Sequence, residues 1–134
     1  YGRILAEMRP GFITAGSVAA IREVLDKGHA PVWMPYEMVV SDPSIPGSWE
    51  VTSDSLSAWL AGKLNASALL LVKSLAIGEQ QPGIEEMVRR GWVDSYFLQF
   101  TSIAGFQIRV LGRRDKEVAR QMLDSGIVAA VNAC

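Results

Sequence analysis

The run Ala68-Leu69-Leu70-Leu71-Val72 is apolar at every position. A strand with one wet face alternates between apolar and polar residues. One that does not alternate must be covered on both faces, as a central strand of a parallel sheet is. Parallel neighbours are joined by long crossovers, usually helical, so this run calls for helices before and after it. Both are legible. Upstream, Leu56, Trp59, Leu60 and Leu64 recur at helical spacing behind Thr52-Ser53-Asp54-Ser55, where Thr52 or Ser53 supplies a capping hydroxyl. Downstream, Pro82-Gly83-Ile84-Glu85-Glu86 opens a short helix with carboxylates in its first turn and Arg89-Arg90 in its last. Gly91 follows, and the charge order is the one a helix dipole favours.

The same alternation of signals extends both ways. Asp94 is placed to cap a helix bearing Tyr96, Phe97, Phe100 and Ile103, and Gln107 to Leu111 alternates as a strand does. Asp115 to Leu123 is amphipathic and stops at Gly126, with Ile127 to Val131 as a last short strand. Nearer the start, Tyr1, Leu5 and Met8 would line one face of a helix ended by Pro10-Gly11. Ser17 is an N-cap for the stripe Val18, Ile21, Val24 and Leu25, which Gly28 terminates, and His29 reads as a turn residue. Ala30 to Met34 reads as a strand with Pro31 tolerated at its beginning, and Glu37 to Val40 as a second short strand. Asp42 to Gly47, with two prolines, is a stiff loop. This order predicts an α/β layered fold with a mostly parallel sheet, one domain over residues 1–134. Ligands of such sheets gather at the carboxyl ends of strands, beside helix N-termini.

Composition narrows the classes of function. The chain has 134 residues, 49% hydrophobic and 20% charged, as in a soluble globular domain. A formal net charge of −1 gives no basic footprint for nucleic acid and no polybasic stretch for a membrane surface. Arg89-Arg90 and Arg113-Arg114 read as solvated helix ends. The single cysteine, Cys134, and the single histidine, His29, exclude a disulfide framework, a His/Cys metal cluster and a Cys-His nucleophile pair. A reducing, cytoplasmic setting follows from that cysteine usage. No apolar run reaches the ~18 residues of a membrane span. Tyr1-Gly2-Arg3-Ile4-Leu5-Ala6 reads like the interior of a helix, so the chain is expected to be part of something longer, with any targeting segment out of view.

Two features carry chemistry. Thr52-Ser53-Asp54-Ser55 puts amides, hydroxyls and one carboxylate at a helix start. Amides and hydroxyls suit phosphate oxygens, and the carboxylate suits a cation, either Mg²⁺ or a lysine ammonium. Lys73 ends an apolar strand, where it must reach water, a carboxylate or a ligand. A plain capping cluster and a snorkelling lysine are the structural alternatives. No Gly-x-x-x-x-Gly-Lys-Ser/Thr loop and no Gly-x-Gly-x-x-Gly is present.

The wording Trp49-Glu50-Val51-Thr52-Ser53-Asp54-Ser55-Leu56-Ser57-Ala58-Trp59-Leu60-Ala61, followed by Leu69-Leu70-Leu71-Val72-Lys73-Ser74, resembles the nucleotide-side half of the amino-acid kinase family. That family includes aspartate, acetylglutamate and uridylate kinases. Pro31-Val32-Trp33-Met34-Pro35 and Gly91-Trp92-Val93-Asp94-x-x-Phe97 are similar to its branch in methanofuran and methanopterin-type cofactor biosynthesis, which phosphorylates a small phosphorylated furan alcohol. The resemblance implies a three-layer α/β/α sandwich that dimerises, with ATP and Mg²⁺ as cofactors and a small-molecule phosphoryl acceptor. It implies Asp54 as the catalytic organiser, with Thr52, Ser53, Lys73 and Ser74 around the nucleotide. The sequence departs from the family at Leu75-Ala76-Ile77-Gly78, where relatives have Val-Asp-Gly, and it lacks the family's Lys-x-Gly-Gly-Ser and Gly-Gly-Gly loops. The expectation is therefore the C-terminal, nucleotide-binding part of an ATP-dependent small-molecule kinase. The alternative is a non-catalytic nucleotide-binding or metal-oxide storage protein of the same fold.

Overall fold

The computed structural model describes residues 2–75, 77, 81–102, 105–124 and 129–131. The chain divides into two compact units, Tyr1–Pro46 and Gly47–Cys134.

The first unit runs α1 (Gly2–Met8), β1 (Phe12–Ala15), α2 (Val18–Asp26), β2 (Ala30–Trp33) and α3 (Tyr36–Ser41). β1 and β2 pair in parallel, Phe12 opposite Ala30 and Ala15 opposite Trp33, with α2 as their crossover. Ser17 caps α2 as its sequence requires, its Oγ accepting from Ala20 N at 3.1 Å. At the other end Gly28 takes φ +74°. There Gly28 N donates to Leu25 O and His29 N to Val24 O, a Schellman closure that favours glycine. Ile21 and Val24 are buried, while Leu25 at the edge of the stripe is exposed. Met8, expected on an apolar face, is also exposed, and the side chains of Tyr1 and Leu5 lie outside the described residues.

Glu37 to Val40 is helical, not a strand. Pro35, at φ −70° and ψ −24°, already has helical backbone angles, and its carbonyl accepts from Val39 N at 2.9 Å. Glu37 then sits in the first turn, where the dipole favours a carboxylate. These local terms outweigh the β preference of Val39 and Val40. The strand that the sequence reading did not anticipate is β1. Phe12-Ile13-Thr14-Ala15 does not alternate between apolar and polar residues, so it carries no strand period.

The second unit runs α4 (Ser53–Leu64), β3 (Ala68–Val72), α5 (Ile84–Arg89), α6 (Phe97–Thr101), β4 (Gln107–Leu111), α7 (Lys116–Asp124) and β5 (Ala129–Val131). Its sheet has the order β4-β3-β5 and both pairings are parallel. The apolar run is thus the central strand, with Ala68 to Leu71 buried. The alternation of signals had indicated an α/β fold with a mostly parallel sheet, and the structure is mixed α/β with short parallel sheets. Leu69 and Leu71 join Ala58, Ala61, Met87, Val93, Phe97, Phe106 and Val110 in one core cluster. What α4 contributes to that cluster is its small face, Ala58 and Ala61. Trp59 and Leu60 are buried as well, so the helix is covered on more than the expected stripe. Gln81 closes the outer edge of β4: its Nε2 donates to Val110 O and its Oε1 accepts from Val110 N, each at 2.9 Å.

Two ends repeat the Schellman closure. After α5, Gly91 takes φ +66°, and after α4 the left-handed residue is Asn65, at φ 52°. Arg89 and Arg90 lie at the end of α5 and pair with Glu86. Arg113 and Arg114, by contrast, lie in the turn before α7 rather than at a helix end. The expected extension to Ile103, the stop at Gly126 and the onset of the last strand at Ile127 lie outside the described residues.

Candidate functional site

The second unit places the start of α4 at the carboxyl end of β3. A short turn at Asn65 to Ser67 returns the chain from α4 into β3, so helix start and strand end face the same way. Thr52 is the N-cap, extended at φ −105° and ψ −173°, and its Oγ1 accepts from Asp54 N at 3.4 Å. Asp54 lies in the first turn, only 4% exposed. It does not turn back onto the helix amides. Both its oxygens, Oδ1 and Oδ2, accept from Lys73 Nζ at 2.6 Å. Lys73 continues the β3–β4 ladder by one residue, its N donating to Leu111 O at 2.8 Å, and its side chain is 19% exposed. Thus the two features singled out from the sequence are one feature, a two-oxygen carboxylate–ammonium pair at the end of a parallel strand.

A second carboxylate completes the arrangement. Asp94, in the turn between α5 and α6, reaches across to the first turn of α4. Its Oδ2 accepts from Thr52 N at 3.1 Å, Thr52 Oγ1 at 2.6 Å and Ser55 N at 3.2 Å. Its Oδ1 accepts from Ser55 Oγ and from Tyr96 N, the latter at 3.0 Å. Partial burial pushes the Asp94 carboxyl up, but the hydrogen bonds from Ser55 and Thr52 outweigh that and hold it below the usual aspartate value. The expectation that Asp94 caps the following helix is met only by the bond from Tyr96 N, since α6 itself has Tyr96 at its N-cap with no side-chain bond. Most of the carboxylate serves α4.

This geometry alters the reading of the helix start as a phosphate cradle. The amides of Thr52 and Ser55 are spent on Asp94, that of Asp54 on Thr52, and Leu56 N donates to Thr52 O at 3.1 Å. The hydroxyls of Thr52 and Ser55 also go to Asp94. Ser57, buried beneath, donates its hydroxyl to Ser53 O. Ser53 and Ser74 are exposed, and neither bonds to Asp54 or Asp94. The loops after β3 and β4 run side by side, with Arg113 N donating to Leu75 O at 3.4 Å. Gly112 is required by that approach, because a Cβ there would stand 2.5 Å from Leu75 O and 3.0 Å from Ile77 N.

Among the described residues no group of three or more His, Cys, Asp or Glu is arranged to hold a metal ion, and no helix is long and apolar enough to cross a membrane. The fold and the site define an α/β protein with an ion pair at the carboxyl end of a parallel sheet, the place where such sheets bind their ligands. Comparison of the chain with protein-family models, curated proteins and solved structures finds no match.

Proposed function

We propose that this chain is the nucleotide-binding part of an ATP-dependent small-molecule kinase built as a three-layer α/β/α sandwich of the amino-acid kinase type. It would work in the cytoplasm as a homodimer on a small metabolite, with a phosphorylated furan alcohol as the candidate acceptor. The observation that supports this reading is the Asp54–Lys73 pair at the carboxyl end of β3. A lysine needed only to reach water would not be held on both oxygens of a buried carboxylate. Such a pair instead fixes one ammonium at a defined point, with a third N–H left for an anion.

Phosphoryl transfer asks a protein for positioned positive charge and little covalent chemistry. In this reading Asp54 organises the site by holding Lys73, and Lys73 presents its remaining proton to a phosphate oxygen. Ser53 and Ser74, both exposed, offer hydroxyl donors. The amides of Asp54, Ser55 and Leu56 take no part, because Thr52 and Asp94 already occupy them. Mg²⁺ fits the nucleotide better than the protein: both Asp54 oxygens face an ammonium, so no carboxylate is left there for a divalent ion. The metal would be held by the ATP phosphates and water, neutralising their charge.

Equilibrium dialysis of labelled ATP with Mg²⁺ tests the reading. Binding that is lost in Lys73→Met and Asp54→Asn, while both variants stay folded, is the expected result. Wild-type binding retained in both, or no ATP binding by the wild-type protein in its longest expressible form, would remove the proposal.

A further inference from the structure

We propose that Asp94 is the positioning residue of the Asp54–Lys73 pair, acting by taking up the donors at the start of α4 that would otherwise capture Asp54. A carboxylate in the first turn of a helix ordinarily meets unbonded amides, and both hydrogen bonding and the helix dipole draw it onto them. Asp54 occupies such a position and yet gives both its oxygens to Lys73. The reason lies in the neighbouring carboxylate. Asp94 accepts the amides of Thr52 and Ser55 together with their two hydroxyls, and Thr52 Oγ1 takes the amide of Asp54 itself. With those donors consumed, the ammonium of Lys73 is the strong donor left to Asp54.

The division of labour also ties the pair to folding of the rest of the unit. Asp94 stands 39 residues beyond Ser55 and arrives only when the segment between α5 and α6 docks on α4. That docking is held by Val93 and Phe97, both buried on either side of Asp94 in the core cluster with Ala58 and Ala61. Lys73 is therefore fixed only after the Asp94 turn is in place. Thr52 and Ser55 are the two hydroxyl arms of this clamp. The pairing stands on geometry alone; its catalytic consequence rests on the phosphoryl-transfer reading given above.

The test reads the freedom of the Lys73 amine directly. The folded protein is acetylated with a limiting amine-reactive ester, and the modification of each lysine is followed by peptide mass spectrometry. Lys116, exposed at the start of α7, is the internal standard. Wild-type Lys73 should react much more slowly than Lys116, and Asp54→Asn should abolish that protection. Asp94→Asn should raise the Lys73 rate roughly tenfold, the factor that about 1.4 kcal/mol represents. Thr52→Val and Ser55→Ala, each removing one arm of the clamp, should raise it by smaller factors. If Asp94 merely capped α4, these variants would lower the denaturation midpoint but keep Lys73 protected below it. Wild-type protection in the folded variants overturns the proposal, and so does a wild-type Lys73 as reactive as Lys116. Should Asp94→Asn not fold, Thr52→Val and Ser55→Ala decide the matter alone. A parallel equilibrium dialysis of ATP with Mg²⁺ separates the two claims. Release of Lys73 in a protein that never binds ATP leaves the positioning role and removes the kinase reading, whereas ATP binding lost in Lys73→Met with Lys73 equally protected in every Asp94, Thr52 and Ser55 variant does the reverse.

Discussion

Lys73→Met strips both oxygens of Asp54 of their bonded ammonium while keeping the aliphatic stem packed at the end of β3. Removing one partner of a buried ion pair costs about 3–5 kcal/mol, because the charge left behind is no longer compensated. The two partners are not equivalent here. Asp54 is 4% exposed on a short side chain and cannot reach water without unwinding the first turn of α4, so Lys73→Met should cost about 3 kcal/mol, the lower end of that range. Lys73 is 19% exposed on a long stem and can snorkel, so Asp54→Asn should cost less, about 1–2 kcal/mol. The double variant Asp54→Asn/Lys73→Met should cost less than the sum of the singles, since it leaves no unpaired charge. Urea unfolding at neutral pH, followed by far-ultraviolet circular dichroism and tryptophan fluorescence, measures all three against wild type. An Asp54→Asn variant less stable than Lys73→Met, or strictly additive singles, would refute the picture of a buried carboxylate holding a partly solvated lysine.

Acid should act through Asp94. Its lowered pKa stabilises the fold above the unfolded aspartate value of about 3.9, and that stability is lost as pH falls through the lower folded value; Asp94→Asn should flatten this loss in pH-dependent urea titrations. Gly112→Ala places a methyl group against the Leu75 carbonyl and should lower the urea midpoint with no change at Lys73, whereas Asn65→Gly should be tolerated or slightly stabilising at its left-handed φ. On the phosphoryl-transfer reading proposed above, Asp54→Asn should cut kcat at least ~100-fold, a barrier increase of about 2.7 kcal/mol, measured by coupled ADP release.

How far the fold was legible depended on the length of each segment. The central strand announced itself because five consecutive apolar residues exclude a half-wet face. Caps and stops at Ser17, Gly28 and Gly91 were legible, and Thr52 as one of two candidates with Ser53, because each depends on a residue's own backbone preference and on donors within one turn. Glu37 to Val40 misled for the converse reason. A six-residue helix spans fewer than two turns, so its stripe cannot repeat, and Val39-Val40 speaks for a strand until Pro35 is read as the start of a helix. On α4 the large residues Leu56, Trp59, Leu60 and Leu64 suggested which face is buried, but Ala58 and Ala61 meet the core cluster. Small residues carry little weight in a hydrophobic stripe, although they allow a helix to pack closest to a sheet.

The pairing of Asp54 with Lys73 could have been obtained by arithmetic before any coordinates. A helix of 12 residues rises about 18 Å, and the five-residue strand that returns from it rises about 17 Å, so the helix start and the strand end come to the same level. Two chemically unusual residues separated by one helix and one strand are therefore natural partners. No such arithmetic reaches Asp94. β3, the short helix α5 and connections whose path the sequence does not dictate separate it from α4, and an aspartate before Ser95-Tyr96 has an adequate local explanation as a cap. Its signal lay on the other side of the contact. A helix start needs one capping hydroxyl, and Thr52, Ser53 and Ser55 supply three within the first turn, one of them fully buried. A buried hydroxyl beyond what capping uses must still bond to something. Lys73, as the cation bonded to Asp54, cannot accept a proton from it. Buried Ser57 meets that need locally, on Ser53 O, whereas Ser55 meets it on Asp94, an acceptor from elsewhere in the fold.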